Sequence, residues 1–474
     1  MKDARLRSRR AFCEDDSIAV QFNSKGITYS GFVCDLSIGG MGVTLNCDMP
    51  KNFSIGDHIA VDVEPSGVHS INVAAEIVFL KEEDFGIRLG LKYTNDDREK
   101  SEIRRTTRYP IPVHLRPSAS FMHPFSFNDT VWMKVRTFSR FGMDCILSSR
   151  NDHLIPGQQV RVQITLPILG SIFVACTIRY AHPNRLNRDE IFAGFVFEEL
   201  SEDASGKICE FIVMVNQKVS YEILREEGFT TVYTSSAVDF DIARDEVDLK
   251  KVCQLRLKAL KSQGYFQDET DCNKMLDEYD RYSKICTVRI GKKIVGTARL
   301  VYNQGNKYRS EHYSEYGIDI PEWLWQEGFV EASRVATDPE YRSGDLFTNI
   351  TQWLGRQTML SGYRYMLSSC TEKLAPIYIK SGCKKIGEFQ TDDGGMWHLL
   401  LLDVPAVSKT KNIDPITWNV LYRPTVEYVM KRDKLKYNLW DRFRILVFKS
   451  FGSISEKLYR KTLIRRSKGN KKRG

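Results

Sequence analysis

Residues 34–43, "CDLSIGGMGV", read as a β-strand interrupted for a reason other than packing. Asp35 and Ser37 offer side-chain oxygens, and Gly39 and Gly40 follow with no side chain at all. A glycine pair inside a β-like run weakens the strand and marks a bulge or a close backbone approach. The pattern recurs in "TFSRFGMDCIL" at 137–147, where Ser139 and Gly142 answer Ser37 and Gly40, and Thr137 stands in the place of Asp35.

Outward from these two stretches the correspondence continues. Arg5 and Arg9 in "RLRSRR" answer Arg104 and Arg108 in "RRTTR". "SIGDHIAVDVEP" at 54–65 answers "IPGQQVRVQITLP" at 155–167, and "FGIRLGLKY" answers "IFAGFVFEEL". Short apolar-patterned strands alternate with Gly, Asn and Asp turns, which predicts a small barrel or sandwich in each copy. Residues 1–100 and 101–225 are therefore read as two all-β domains made by tandem duplication. Arginines beside a strand bearing Asp, Ser and bare backbone suit an anion attached to a flat base. A basic N-terminal arm next to a glycine bulge has the same composition, and the residues alone leave both readings open.

Arg5-x-x-x-Arg9 followed by Asp35-x-Ser37-x-x-Gly40 resembles the two-part signature of PilZ domains, small β-barrels that bind cyclic di-GMP. The resemblance implies a cyclic di-GMP site at Arg5, Arg9, Asp35, Ser37 and Gly40. It implies a weaker second site at Arg104, Arg108, Ser139 and Gly142, because Thr137 lacks the carboxylate of Asp35.

From residue 235 the periodicity changes to mixed α/β. "EVDLKKVCQLRLKALKSQG" has helical spacing, "SKICTVRIGKKIVGTARLVYN" reads as a hairpin, and "FVEASRVATDP" as a strand. "EYRSGDLF" places Arg342, Ser343, Gly344 and Asp345 ahead of a helix, where free N–H groups favour a phosphate. "LAPIYIKSG" places Tyr378 on a helix, and a phenol there can donate a proton to a departing thiolate.

Residues 235–405 resemble the GNAT fold, and within it the branch of long-chain N-acyl amino acid synthases and acyl-homoserine-lactone synthases. The motifs that carry this are Arg256, then Asp277 and Asp280 in "DEYD", Arg299 in "GTARL", and Glu331 with Arg334 in "EASR". The resemblance implies a transfer of a fatty acyl group from acyl carrier protein or CoA to an amine, most simply an amino acid. Glu331, Arg334 and Tyr378 would be catalytic. Arg256, Asp277, Asp280 and Arg299 would serve the acceptor, and Arg342–Asp345 the carrier phosphate. Competing readings are a homoserine-lactone-type synthase and a nucleotide receptor whose GNAT-like domain only contacts a partner or membrane.

Composition bounds the rest. A chain of 474 residues exceeds a single core. Eleven cysteines without a CxxC pair, and eight histidines without metal-ligand spacing, suggest neither a disulfide framework nor a metal site. No apolar run approaches a membrane span and no secretory signal is evident, so a cytoplasmic setting is expected. Residues 406–474 carry 19 Lys+Arg against 5 Asp+Glu, a local +14, while the whole chain is +9. This segment is expected to be a basic amphipathic helical tail that suits the anionic inner face of a membrane rather than nucleic acid. The expectation as a whole is a multidomain chain: two PilZ-like barrels, a GNAT-like domain and a basic tail.

Overall fold

Alternation of side chains shapes the first half. The computed structural model describes residues 10–11, 18–47, 52–64, 70–83, 86–94, 106–123, 129–151, 153–231, 236–264, 271–303, 309–342, 345–391, 395–431 and 436–469. The chain divides into two compact units: Met1–Asn216 with Glu227–Phe229, and Gln217–Glu226 with Thr230–Gly474.

In the first unit, β1 (Arg10–Ala11), β2 (Ile18–Ser24), β3 (Ile27–Ser37), β4 (Gly40–Leu45), β5 (His58–Glu64), β6 (Ile71–Glu83) and β7 (Gly86–Tyr93) form the first sheet. Its pairings β2–β3–β4–β7–β6–β5 close on themselves when β5 returns to β2, and β1 adds to β3 at the rim. Closure removes the sheet edges. Val20, Phe22, Val33, Val43, Val61, Ile77 and Leu89 alternate inward to fill the barrel. Between β2 and β3, Lys25 and Gly26 both take positive φ, the tight turn whose twist matches the flanking strands.

The second copy repeats this plan with β8 (Tyr109–Pro110), β9 (Ser118–Met122), β10 (Thr130–Ser139), β11 (Gly142–Ser148), β12 (Gln159–Leu166), β13 (Gly170–Pro183) and β14 (Glu190–Glu199). Its ring runs β9–β10–β11–β14–β13–β12, with β8 on β10. Helix α1 (Glu202–Val215) follows, capped by Ser201, and buries Ile208, Phe211 and Ile212. Ile155, from the second copy, belongs to the core cluster of the first barrel.

In the second unit, α2 (Tyr221–Glu226) precedes a mixed sheet built from β15 (Asp239–Ile242), β16 (Ser283–Ile290), β17 (Lys293–Asn303), β18 (Phe329–Thr337), β19 (Tyr365–Thr371), β20 (Lys384–Gln390) and β21 (Met396–Asp403). The order is β15–β16–β17–β18–β19–β21–β20, and the β18–β19 pair is parallel. Helices α3 (Glu246–Lys261), α4 (Glu311–Ser314), α5 (Glu322–Glu327), α6 (Leu346–Ser361) and α7 (Ala375–Lys380) fill the connections. The strands, helices and GKK hairpin follow the sequence expectation, with Gly291 at φ +57° in the hairpin turn.

The last segment holds α8 (Val404–Ser408), α9 (Pro415–Leu421), α10 (Arg423–Met430), α11 (Leu439–Ser450) and α12 (Gly452–Gly469). Trp418 and Tyr422 are interior rather than surface aromatics: Trp418 Nε1 donates to Val407 O at 3.0 Å, and Tyr422 Oη donates to Ser381 O at 2.8 Å. Gln352 on α6 donates to Val420 O at 2.6 Å, so the beginning of the basic segment is packed on the α/β sheet's own helix.

Candidate functional sites

The glycine pair of the opening stretch is explained by close strand approach. A Cβ at Gly40 would lie 2.0 Å from Leu91 O on β7, and one at Gly142 would lie 2.1 Å from Phe195 O on β14. Ser37 Oγ donates to Gly40 O at 3.1 Å, and Ser139 Oγ to Gly142 O at 3.2 Å, closing the same turn in both copies. Asp35 is buried, sits opposite Gly42 across β3–β4, and accepts from Arg88 NH2 at 2.9 Å. A Cβ at Gly42 would lie 2.6 Å from Asp35 Oδ2, so bare backbone makes room for this carboxylate.

The second barrel keeps the ion pair but moves both partners. Thr137 faces Asp144 in the position equivalent to Gly42, so the carboxylate has crossed from β10 to β11. Arg136 occupies the place of Cys34, at the same register shift, and its guanidinium lies 3.5 Å from Asp144 Oδ2. Phe192, 4.1 Å below that guanidinium, replaces Arg88. Tyr180 Oη donates to Asp144 Oδ1 at 3.2 Å. Thr137 thus removes an acceptor from its strand but not from its barrel. Arg108 is exposed and faces Tyr180; Arg5, Arg9 and Arg104 lie outside the described residues.

In the second unit the parallel β18–β19 ladder ends at Ala332–Ser368. Beyond it β18 continues on β17 and β19 continues on β21, so the two strands part. Ligands of α/β sheets bind outside the carboxyl ends of such strands. Beside this opening, Arg334 holds φ +52° at a register shift. That conformation costs a non-glycine residue roughly 1–2 kcal/mol. It aims the guanidinium at three acids: NH2 is 2.9 Å from Asp277 Oδ2 and 3.5 Å from Glu315 Oε1, and Nε is 3.5 Å from Glu311 Oε1.

Arg299, with no exposed surface, holds the other side of the same group. It contacts Asp277, Asp280 at 3.1 Å, Glu311 at 2.8 Å and Ser333 Oγ at 3.0 Å. Arg256 grips Asp280 in a two-pronged contact at 3.0 and 3.1 Å and donates to Met275 O at 2.9 Å. Oxygens of Asp277, Glu311 and Glu315 lie within 4.8 Å of one another, a spacing that would suit a cation. Here the guanidinium groups of Arg299 and Arg334 supply the positive charge. Burial tends to raise the Asp277 pKa, but Arg299 and Arg334 hold it below the usual carboxylate range. Burial dominates at Glu315, whose carboxyl is pushed up.

Glu331 is fully buried on the neighbouring ladder position and is enclosed by donors. Ser310 Oγ lies at 2.5 Å, the N–H groups of Glu311 and His312 at 3.0 and 3.4 Å, and His312 Nδ1 at 3.0 Å. Burial disfavours charge on both members of the Glu331–His312 pair. The hydrogen bond and mutual attraction prevail, so Glu331 is lowered and His312 raised.

Tyr378 is half-buried on α7, and burial raises its phenol, which keeps it protonated at neutral pH. Its ring meets Phe347, at the start of α6, edge-on at 6.2 Å. Asp345 occupies the N-cap position of that helix, without a side-chain cap hydrogen bond. Arg342 is turned to the end of α3, donating to Ser262 Oγ at 3.0 Å and Ala259 O at 3.4 Å. Ser343 and Gly344 lie outside the described residues.

The PilZ domain family profile matches residues 5–109, and the profile of the N-acyl amino acid synthase FeeM matches residues 251–403. The chain thus carries a segment that matches the PilZ profile and, after it, one that matches the FeeM profile. It is similar to the structure of FeeM, an N-acyl amino acid synthase from uncultured soil microbes, at 14% identity over 37% of this chain and 95% of that one, with a TM-score of 0.32. It is similar to the PilZ domain with c-di-GMP of YcgR from Escherichia coli (15% identity, 24% and 92% covered, TM-score 0.22). A third similar structure is a GNAT-family acetyltransferase from Desulfovibrio desulfuricans (16% identity, 35% and 99% covered, TM-score 0.26). No curated protein matches the chain.

Of the residues named from sequence, Arg256, Asp277, Asp280, Arg299 and Arg334 converge in the FeeM-like module into one connected network, with the side chains of Arg256, Asp280 and Arg299 buried and those of Asp277 and Arg334 partly exposed. Glu331 lies next to it with a separate set of partners, and Arg342 and Tyr378 lie on other elements. Glu311, His312 and Glu315 went unmarked. Their only local signal is Ser310 as a helix N-cap, and their partners are some twenty positions away in the chain.

Proposed function

We propose that the chain is an N-acyltransferase regulated by cyclic di-GMP, moving a fatty acyl group from a carrier thioester to the amine of an amino acid. The observation that carries this reading is the succession of a PilZ match and an N-acyl amino acid synthase match on one chain. In the transfer, the amine nitrogen bonds to the thioester carbonyl carbon and the C–S bond breaks. The amine proton passes to a base, and the thiolate takes a proton from Tyr378.

Glu331 is the proposed base, and because four donors already occupy its oxygens it takes the amine proton through water. Arg334, exposed by about a third, faces the acceptor carboxylate, while Arg299 and Arg256 hold the acidic loop in place. The donor is an acyl carrier protein or CoA thioester, with the stretch 342–345 ahead of α6 as the proposed phosphate contact. A receptor with a non-catalytic second module is the competing reading, favoured by the fixed position of Arg342.

The test is purified chain incubated with acyl carrier protein or CoA thioesters and a mixture of amino acids, with products identified by mass spectrometry, with and without cyclic di-GMP. Acyl amino acid product is expected, with a rate that responds to the nucleotide. Tyr378→Phe is expected to lower it by about 100-fold or more. Absence of product from every donor overturns the assignment, and full activity in Tyr378→Phe removes the tyrosine from the mechanism.

A further inference from the structure

Helix α11 packs on the rest of its unit through one face only. Ile445 and Asp441 are buried, and Phe448 meets Trp418 edge-on at 5.8 Å. The opposite face carries Leu439 (87% exposed), Trp440 (71%), Phe443 (56%), Leu446 (68%) and Val447 (39%). At 100° per residue these five fall within roughly a third of the helix circumference. Scattered exposed apolar residues are ordinary, whereas a continuous stripe on one helix marks an interaction surface.

Its flanks are basic. Exposed Arg442 borders one side together with Lys449, and Arg444 borders the other. Lys449 is held by Glu427 at 3.0 Å and Arg444 by Thr410 O at 2.9 Å, which fixes the orientation of the stripe on the unit. Beyond Phe451, exposed Ile454 and Leu458 stand one turn apart on α12, with Lys457 and Lys461 also exposed. Residues 439–469 hold nine Lys+Arg and two Asp+Glu.

We infer that α11 and the first turns of α12 form a docking surface for an anionic phospholipid bilayer, lying in its interface with the Trp440 and Phe443 rings among the acyl chains. Apolar area with a tryptophan in one stripe, and lysine and arginine at its borders, is the pattern of an interfacial helix. Local positive charge draws it to anionic headgroups. No helix among the described residues is long and apolar enough to cross a membrane, so the contact is one of lying on the surface. A nucleic acid would use the charges and leave the stripe in water.

The inference needs neither acyl transfer nor nucleotide binding, so its test stands apart from theirs. Full-length chain would be floated with vesicles of phosphatidylcholine alone and of phosphatidylcholine with phosphatidylglycerol, and Trp440 fluorescence followed. Binding to the anionic vesicles with a blue-shifted emission is expected. The exposed triple variant Trp440→Ser, Phe443→Ser, Leu446→Ser, with circular dichroism unchanged, should partition at least about tenfold less. Failure to bind anionic vesicles, equal binding to both vesicle types, or binding unaffected by the triple substitution overturns the inference.

Discussion

At the scale of single residues, the FeeM-like module places its charges in two compartments. Three arginines balance Asp277, Asp280, Glu311 and Glu315, while Glu331 has a histidine of its own. This second pair should be visible in the pH dependence of stability. His312 is raised above its ordinary value of 6.5, so its contribution is complete below that pH and is lost as pH rises through the folded value. Glu331 is lowered from 4.5, so its contribution is present above that pH and is lost as pH falls through the folded value. Urea titrations of the parent and His312→Gln should therefore differ most between about pH 4.5 and 6.5 and converge as pH rises further. A difference that shrinks as pH falls through 6.5, or that fails to fall as pH rises beyond it, would mean His312 is neutral in the folded chain. The motif residues of this site were legible because each sits in a short recognisable run, such as "EASR" or "GTARL". His312 was not, since nothing in "SEHYSEYG" reveals that a glutamate on a strand 19 residues away would seat itself on that helix's N-terminus.

At the scale of elements, alternation and turn residues were enough to locate the strands of both barrels and of the mixed sheet. Ring closure, however, depends on β5 reaching β2 and β12 reaching β9, pairings that leave no local mark. The basic segment was the harder case. Its charge suggests a solvated tail, yet α9 and α10 complete the interior of the α/β unit, with Trp418 fully buried on α9 and Val426 and Val429 on α10. Trp418→Ala should cost about 3–5 kcal/mol. The loss should appear in the unfolding transition that also releases β19 and β21, followed by hydrogen exchange of the amides of Leu399–Leu402. If those amides kept their protection, α9 would be an appendage and not part of the core.

At the scale of the whole molecule, two barrels of one plan lie in tandem, and the acid of the ion pair that crosses strands in each is displaced by one strand in the second. Duplicated domains fold under a particular hazard, because a strand of one copy can pair with the partner strand of the other. If β3 met β11 in the native register, Asp35 would face Asp144, two carboxylates directly opposed; such like-charge pairs are destabilising. If β10 met β4, Thr137 would face Gly42, and Arg136 would lose its acid. Restoring the first copy's residues in the second, with Thr137→Asp and Asp144→Gly together, should lower the refolding yield at dilute concentration and increase misassembled monomer seen by limited proteolysis. An unchanged yield would remove the idea. Seen this way, the feature that makes the second copy an imperfect repeat is what lets each barrel recognise its own strands.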